Sequence, residues 1–395
     1  MLSPVDQRDR RCPRRARRSE VTSPDMSTLS AGLWPIADHR GGDTTPTARR
    51  DEILADPGFG RHFSDHMVRA RWTADGGWHD AELVPYGPLT MDPATNFIHY
   101  GQSIFEGLKA YRHSDDSIWT FRPLANAQRF ANSARRLAMA ELPAELFLAS
   151  LEALVQADRD WVPSKPEHSL YLRPFMFSTE VGLGVRPANA YEYLLIASPA
   201  AAYFADGVKP VSVWLSDDYV RAAPGGTGEA KCAGNYAASL IAQAEAAQHG
   251  CDQVVWLDAV ERRYVEEMGG MNLYFVYGSG DSARLLTPAL TGTLLPGVTR
   301  DSLLVLAEDL GIRADEGTIT VDEWSAGCAS GEITEVFACG TAAVVTPVGA
   351  VKSREGSWQV GSGGAGPVTM RLRAALLDIQ GGQTPDRHQW LHRLA

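Results

Sequence analysis

Gly225–Tyr236 reads GGTGEAKCAGNY, and Lys231 within it lies between two runs of small residues. An amide, Asn235, and a phenol, Tyr236, follow that lysine four and five residues later. Small residues let a backbone approach a flat ligand closely and leave room around an amine. An amine held in such a pocket can condense with a carbonyl compound once its pKa falls below about 10.4. A lone lysine is more often a solvated surface charge, because Lys is seldom buried. Reading Lys231 as a reactive amine therefore depends on what the rest of the chain places around it.

On the N-terminal side, residues 61–199 mix short β-rich runs with helices. Ser117–Phe121, Ser169–Phe177 (broken by Pro174) and Tyr191–Ala197 read as strands. Asn126–Met139 reads as a helix, as does Ala144–Trp161, where Leu146, Leu148, Leu151, Leu154 and Val155 recur at helical spacing. Residues 199–210 gather Pro, Gly and small side chains and read as a linker. Beyond it, strands are expected at Val211–Leu215, Gln253–Leu257, Leu273–Tyr277, Glu335–Cys339 and Ala343–Val348. Helices are expected at Asn235–His249, Thr299–Leu310, Val321–Ala329 and Pro367–Ile379, with Gly250 and Gly311 where helix C-terminal glycines belong. Strands and helices alternate without a fixed period, so the expected class is a mixed α/β (α+β) fold and not a repeat. The expected division is a small domain over 27–198, the linker 199–210 and a large domain over 211–395.

At 395 residues and 44% hydrophobic content the chain can fill two packed domains. A net charge of −11 argues against nucleic acid as the main partner. The five cysteines are scattered, none in a CxxC, so no disulfide framework or zinc site is expected, and free thiols fit a cytoplasmic protein. No apolar run approaches the roughly 18–20 residues that span a bilayer, so no membrane association is expected. Residues 1–26, with RDRRCPRRARRSE, read as a disordered basic arm without the apolar middle of a secretory signal. Asp6, Asp9 and Glu20 argue against a transit peptide, and Met26 is an alternative start.

Four further segments offer what pyridoxal phosphate would require beside a reactive lysine. Its ring nitrogen needs an acid, because a protonated ring is the better electron sink. Glu266 and Glu267, in YVEEMGGMNLYF, end a predicted strand, and alternation lets only one of them face inward. A phosphate needs backbone donors and a cation. Leu295–Thr299 (LPGVT) runs into a predicted helix, so the Val298 and Thr299 amides lie at a helix N-terminus; the plainer reading makes Thr299 an N-cap. Gly340-Thr341-Ala342 follows a strand and adds a small-residue turn with a hydroxyl. Arg129 is one cation on an Ala-rich helix that also carries Arg135 and Arg136, with Arg122 just before it. Gly361–Gly366 fits GxGxxG but lacks an acidic residue about 20 positions on; it reads as a tight turn before the last helix and a candidate for the pocket wall.

These residues stand in seven segments that together resemble the branched-chain amino acid aminotransferases: HYGQSIFEGLKAYR, FRPLANAQR, YLRPFMF, GGTGEAKCAGNY, EEMGGMNLYF, LLPGVTRD and CGTAAVVTPV. They occur in family order across about 60–385. The resemblance implies the two-domain fold type IV architecture shared with D-amino-acid aminotransferases, and a homodimer binding pyridoxal 5'-phosphate and small amino and 2-oxo acids. It makes Lys231 the Schiff-base lysine and proton shuttle, Tyr236 the partner of the cofactor's 3′-oxygen, and Glu267 the ring-nitrogen partner. Arg129, Val298, Thr299, Gly340 and Thr341 become phosphate contacts, and Leu295 packs on the ring. Tyr100, Phe105, Tyr171, Arg173 and Tyr203 match the substrate pocket, and the Thr341–Ala342 amides match the site of the substrate carboxylate. The CxxC of some members is replaced by Ala343 and Thr346, so no thiol switch is expected there. The implied reaction is transamination of L-leucine, L-isoleucine and L-valine with 2-oxoglutarate. The alternatives are a D-amino-acid transaminase or aminodeoxychorismate lyase, and a non-catalytic binding protein on the same fold.

Overall fold

Two mixed sheets organise the molecule, whose computed structural model describes residues 34–202 and 207–395. The basic arm and Tyr203 lie outside the described residues. The first sheet uses β1 (Ala37–Asp38), β2 (His66–Thr73), β3 (Gly77–Pro85), β4 (Ser103–Phe105), β5 (Leu108–Arg112), β6 (Ile118–Phe121), β7 (Ser169–Ser178) and β8 (Ala190–Ala200). Their order is β1-β3-β2-β8-β7-β5-β6, with β4 beside β7. Alternate residues such as Val68 and Ala70, or Leu170 and Leu172, point to one core shared with Phe130, Leu151 and Leu154 of the helices Pro123–Arg136 and Ala144–Ala157.

The second sheet uses β9 (Val211–Ser216), β10 (Gln253–Leu257), β11 (Val265–Met268), β12 (Met271–Tyr277), β13 (Arg284–Pro288), β14 (Arg313–Gly317), β15 (Ile333–Gly340), β16 (Val344–Lys352) and β17 (Ser357–Gln359). Because β11 pairs with both β10 and β12, the strands β11-β10-β9-β16-β15-β12 close on themselves. The closed strands bury both faces, and the period of two divides them. Leu273, Phe275, Val336 and Ala338 fill one core, whereas Tyr274, Val276, Phe337 and Cys339 pack on the helices Val298–Asp309 and Pro367–Gln380.

Several boundaries differ from expectation. The first long helix opens at Pro123, whose missing N–H costs nothing at N1, and stops at Arg136. The next ends at Ala157 and passes into a 3₁₀ turn over Arg159–Trp161. Pro174 does not break β7. Its carbonyl accepts from the Glu106 N–H at 2.7 Å, so the side of the strand lacking a donor faces the gap between β4 and β5. The chain's last strand, Leu391–Arg393, crosses back to pair with β6 in the first sheet.

Contacts between the two halves determine where a site can form. The Phe105 N–H donates to the Lys231 carbonyl at 3.0 Å, and Arg136 donates to the Gly225 and Gly226 carbonyls. Arg122 bridges to Ser302 and Asp301 on the helix that LPGVT begins.

Candidate active site

A cavity of about 220 Å³ lies between the halves, lined by Phe59, Phe105, Gly107, Arg129, Tyr171 and Arg173 on one side. Lys231, Tyr236, Met271, Asn272, Leu295, Val298, Thr299 and residues 339–343 line the other. The Lys231 backbone is held from both directions: its N–H donates to Ser133 Oγ at 2.9 Å and its carbonyl takes the Phe105 bond. The helix Ala233–Gln248 starts immediately after, and its first turn carries Tyr236 back so that Lys231 Nζ donates to the phenol oxygen at 3.0 Å. Nζ also lies 4.9 Å from the centre of the Phe105 ring.

The small residues before Lys231 serve packing, not the ligand approach expected of them. A Cβ on Gly228 would lie 2.2 Å from the Thr293 carbonyl oxygen, and Gly225, Gly226 and Gly228 are absent from the cavity wall. Asn235 fastens the same loop by donating to Thr227 and Ala230 carbonyls.

The anion side is built on the helix Val298–Asp309. Its N-cap is Gly297, not Thr299, and no side chain caps the first amides. Those free donors, with the helix dipole behind them, suit a phosphate. Glycine is required at 297 because a Cβ would fall 2.0 Å from Asn272 Oδ1. Arg129 lines the same end with Nη1 on the Pro296 carbonyl at 3.2 Å. Its Nε and Nη2 are taken at 2.7 and 2.9 Å by Glu106, a fully buried carboxylate that spacing did not reveal. Burial works to raise the Glu106 carboxyl, but the Arg129 charge and hydrogen bonds outweigh it and hold it below its ordinary value.

Glu267 lies under the floor: its Oε1 accepts from the Leu295 N–H at 2.6 Å and from Asn272 at 3.1 Å. Oε2 sits 3.0 Å from Arg221 Nε yet accepts no aligned hydrogen bond, leaving a buried acceptor free. Burial raises this carboxyl above its ordinary value, and Arg221 offsets only part of that. Arg221 was invisible in the sequence. It is 8% exposed and also donates to the Gly228 and Thr293 carbonyls. Glu266 was expected to be the solvated partner of the pair, but it is buried on the opposite face against the Thr293 hydroxyl. A free buried acceptor, an uncapped helix start with a cation beside it, and an amine against a phenol fit pyridoxal phosphate.

On the remaining wall, Arg173 Nη2 donates to Tyr171 Oη at 3.1 Å and the guanidinium stacks 4.7 Å from the Phe105 ring. Gly107 is required there, since a Cβ would lie 2.0 Å from Tyr171 Oη. Phe59, missed in the sequence, meets Tyr171 edge-on. Tyr100 departs from expectation: it is 45% exposed, bonds the Leu183 carbonyl and does not line the cavity. Tyr203 lies outside the described residues. Gly361–Gly366 does not line the cavity either; the helix it precedes is capped by Glu335, whose carboxylate takes the Val368 and Thr369 amides.

Comparison with known proteins agrees with this chemistry. Residues 103–351 match the amino-transferase class IV family. The branched-chain-amino-acid aminotransferase of Mycolicibacterium smegmatis is 61% identical over 93% of this chain and 98% of its own length. A probable branched-chain-amino-acid aminotransferase of Streptomyces coelicolor is 62% identical over 95% and 100%. The fold is similar to the crystal structure of the branched-chain amino acid aminotransferase of Escherichia coli, with a TM-score of 0.68 at 30% identity over 83% of this chain and 100% of that one. It is also similar to a second solved branched-chain amino acid aminotransferase, complexed with N-(5'-phosphopyridoxyl)-L-glutamate, with a TM-score of 0.66 at 30% identity over 82% and 98%. With the family model covering most of the described residues and near relatives aligned almost end to end, the chain belongs to the class IV aminotransferases, in their branched-chain-amino-acid branch.

Proposed function

We propose that this chain binds pyridoxal 5'-phosphate and reversibly transaminates L-leucine, L-isoleucine and L-valine with 2-oxoglutarate. The carrying observation is the Lys231 amine held 3.0 Å from the Tyr236 phenol in a cavity flanked by Glu267 and Arg129. When bound, the cofactor's protonated ring acts as the electron sink for the substrate α-carbon. Lys231 would hold the cofactor through its amine and, once released, take up the substrate α-proton at Nζ. Tyr236 orients that amine, Glu267 faces the ring nitrogen, and Leu295 packs on the ring. Arg129, the Val298 and Thr299 amides, Gly340 and Thr341 hold the phosphate. The Thr341–Ala342 turn receives the substrate carboxylate. Phe105, Tyr171 and Phe59 cover an aliphatic side chain, worth about 1.5–3 kcal/mol for Leu or Val, and Arg173 meets the distal carboxylate of glutamate.

The small domain, the 199–210 linker and the large domain are supported by the change of sheet between β8 and β9. A homodimer is supported by exposed Ile98, Tyr100, Val181, Leu183 and Val185, and by Leu240 and Ile241 on the helix after Lys231. Tyr100 would then belong to that interface. A cytoplasmic location is supported by free Cys232, Cys251, Cys328 and Cys339. No helix among the described residues is long and apolar enough to cross a membrane.

The test is the absorption spectrum of the purified protein with pyridoxal phosphate. A visible band that collapses on L-leucine and returns with 2-oxoglutarate is expected, and Lys231→Ala should lose the band and the turnover. A response to D-alanine alone would move the chain to the D-amino-acid transaminases, and absence of a band would leave a binding protein.

A further inference from the structure

Lys109 is a buried cation for which the reaction above has no use. It lies on β5, is 7% exposed, and has no carboxylate within 4.0 Å among the described residues. The nearest acid in its field, Glu167, is occupied by Arg373, whose Nη1 and Nη2 reach its two oxygens at 3.3 and 2.5 Å. An ammonium withdrawn from water needs a compensating acceptor. Nζ finds one in the Ala342 carbonyl at 2.9 Å, a bond that crosses from the first sheet to a turn 233 residues further along the chain.

That turn joins β15 to β16, and all of Gly340–Ala343 lines the cavity. It closes at Val344 with φ of +60°, a left-handed conformation that a β-branched residue adopts only when its surroundings impose it. In a trans peptide the N–H points opposite to the C=O, so anchoring the Ala342 carbonyl also sets the direction of the Ala343 N–H. A cation on the carbonyl polarises the same peptide and makes its N–H the stronger donor.

We infer that Lys109 is a positioning residue that holds the strained Gly340–Val344 turn in place for the substrate carboxylate and adds an unneutralised positive charge behind it. This rests on the transaminase reading of the cavity. Burial pushes the Lys109 ammonium down to about 8, with Glu167 raising it and Arg373 lowering it, so the charge is present at neutral pH and leaves above that value. Tyr171 is its cross-strand neighbour on β7. The Ala342 peptide lies beyond Gly340 and Thr341, and the phosphate also has Arg129 and the Val298 and Thr299 amides, so carboxylate affinity should depend on this residue far more than cofactor affinity does.

The experiment uses the full chain loaded with pyridoxal phosphate and 4-methylvaleric acid, a branched carboxylate without an amino group, as the calorimetric probe. Lys109→Met should weaken probe binding at least tenfold and cofactor binding by a clearly smaller factor, since Arg129 and the Val298 and Thr299 amides still hold the phosphate. The wild-type affinity should fall as pH rises through about 8, and the Met variant should be flat there. Lys109→Gln, which keeps a donor of shorter reach but removes the charge, should weaken the probe several-fold and be flat through the same pH range. Probe binding within twofold of wild type in Lys109→Met, or parallel loss of probe and cofactor, overturns the assignment. If Lys109→Met does not fold, unchanged probe affinity in Lys109→Gln overturns it and weakened affinity supports it. A wild-type protein that holds the cofactor but binds no probe overturns the transaminase reading itself, and the role of Lys109 with it.

Discussion

Two buried arginine–carboxylate pairs flank the cavity and present opposite members to it. On the first-sheet side Arg129 is in the wall and Glu106 stands behind it. On the second-sheet side Glu267 bonds the floor residues Leu295 and Asn272, while Arg221 is turned toward the loop backbone at Gly228 and Thr293. Each pair is nearly neutral, so neither pair puts a bare charge into the low-dielectric interior. What differs is order, and order sets the sign offered to a ligand: a cation beside an uncapped helix start at one end, a carboxylate under the other. One flat molecule with a phosphate at one edge and a protonated nitrogen at the opposite edge satisfies both.

The comparison breaks most severely when a carboxylate loses its counter-cation. Arg221→Met leaves Glu267 buried and unpaired, and should cost about 3–5 kcal/mol in denaturant unfolding of the cofactor-free protein, as expected for removing one partner of a buried pair. A loss below about 1 kcal/mol would mean that the Leu295 and Asn272 bonds alone hold Glu267. The opposite cut is milder. Glu106→Gln keeps an acceptor for Arg129 but removes the charge, and should cost about 1–3 kcal/mol and weaken pyridoxal phosphate binding about tenfold, because Arg129 loses its fixed orientation. Tighter binding in this variant would show that Glu106 screens Arg129 instead of aiming it.

Lys109 sharpens the comparison because no carboxylate lies within 4.0 Å of it among the described residues. Its folded-state value of about 8 is below the ordinary 10.5, so between those pH values the unfolded chain binds more protons. Lys109 should therefore favour the folded state increasingly as pH rises from 8 toward 10, while burial of the Cys251, Cys328 and Cys339 thiols opposes it in both proteins, so the thermal midpoint of wild type minus that of Lys109→Met should rise across the range. Above 10 burial of Tyr111, Tyr193 and Tyr274 adds to that opposing trend, since the folded state then holds their protons too. A difference between the two proteins that stays constant over this range would place Lys109 at its ordinary value.

Much of the fold was legible because its signals are local. Gln253–Leu257 stands where its apolar run placed it, and Gly250 and Gly311, at φ of +64° and +73°, end helices as expected of glycine. The hairpin β2–β3 was overlooked although its pattern is present: Val68 and Ala70 alternate with Arg69 and Arg71, but charges on the outer face mask the strand. Arg69 is there because Glu192 on β8 pairs with it across the sheet.

By itself the sequence placed Lys231 five residues before Tyr236, put the Val298 and Thr299 amides at a helix start, and located strands such as Gln253–Leu257. All three depend on backbone geometry within a few residues. Helix spacing left Arg129, Arg135 and Arg136 open, and the tertiary structure brings Arg129 to the cavity; only that structure decided that Glu106 and Arg221 stand behind the two charges, that Glu266 is buried too, and that Tyr100 points outward. Those outcomes depend on which groups share a low-dielectric space, and partners such as Lys109 and Ala342 meet only when two sheets pack. Desolvation selects the Arg–Glu pairs by mutual neutralisation and the Lys109 bond by the need for an acceptor, and that selection leaves no periodic trace along the chain.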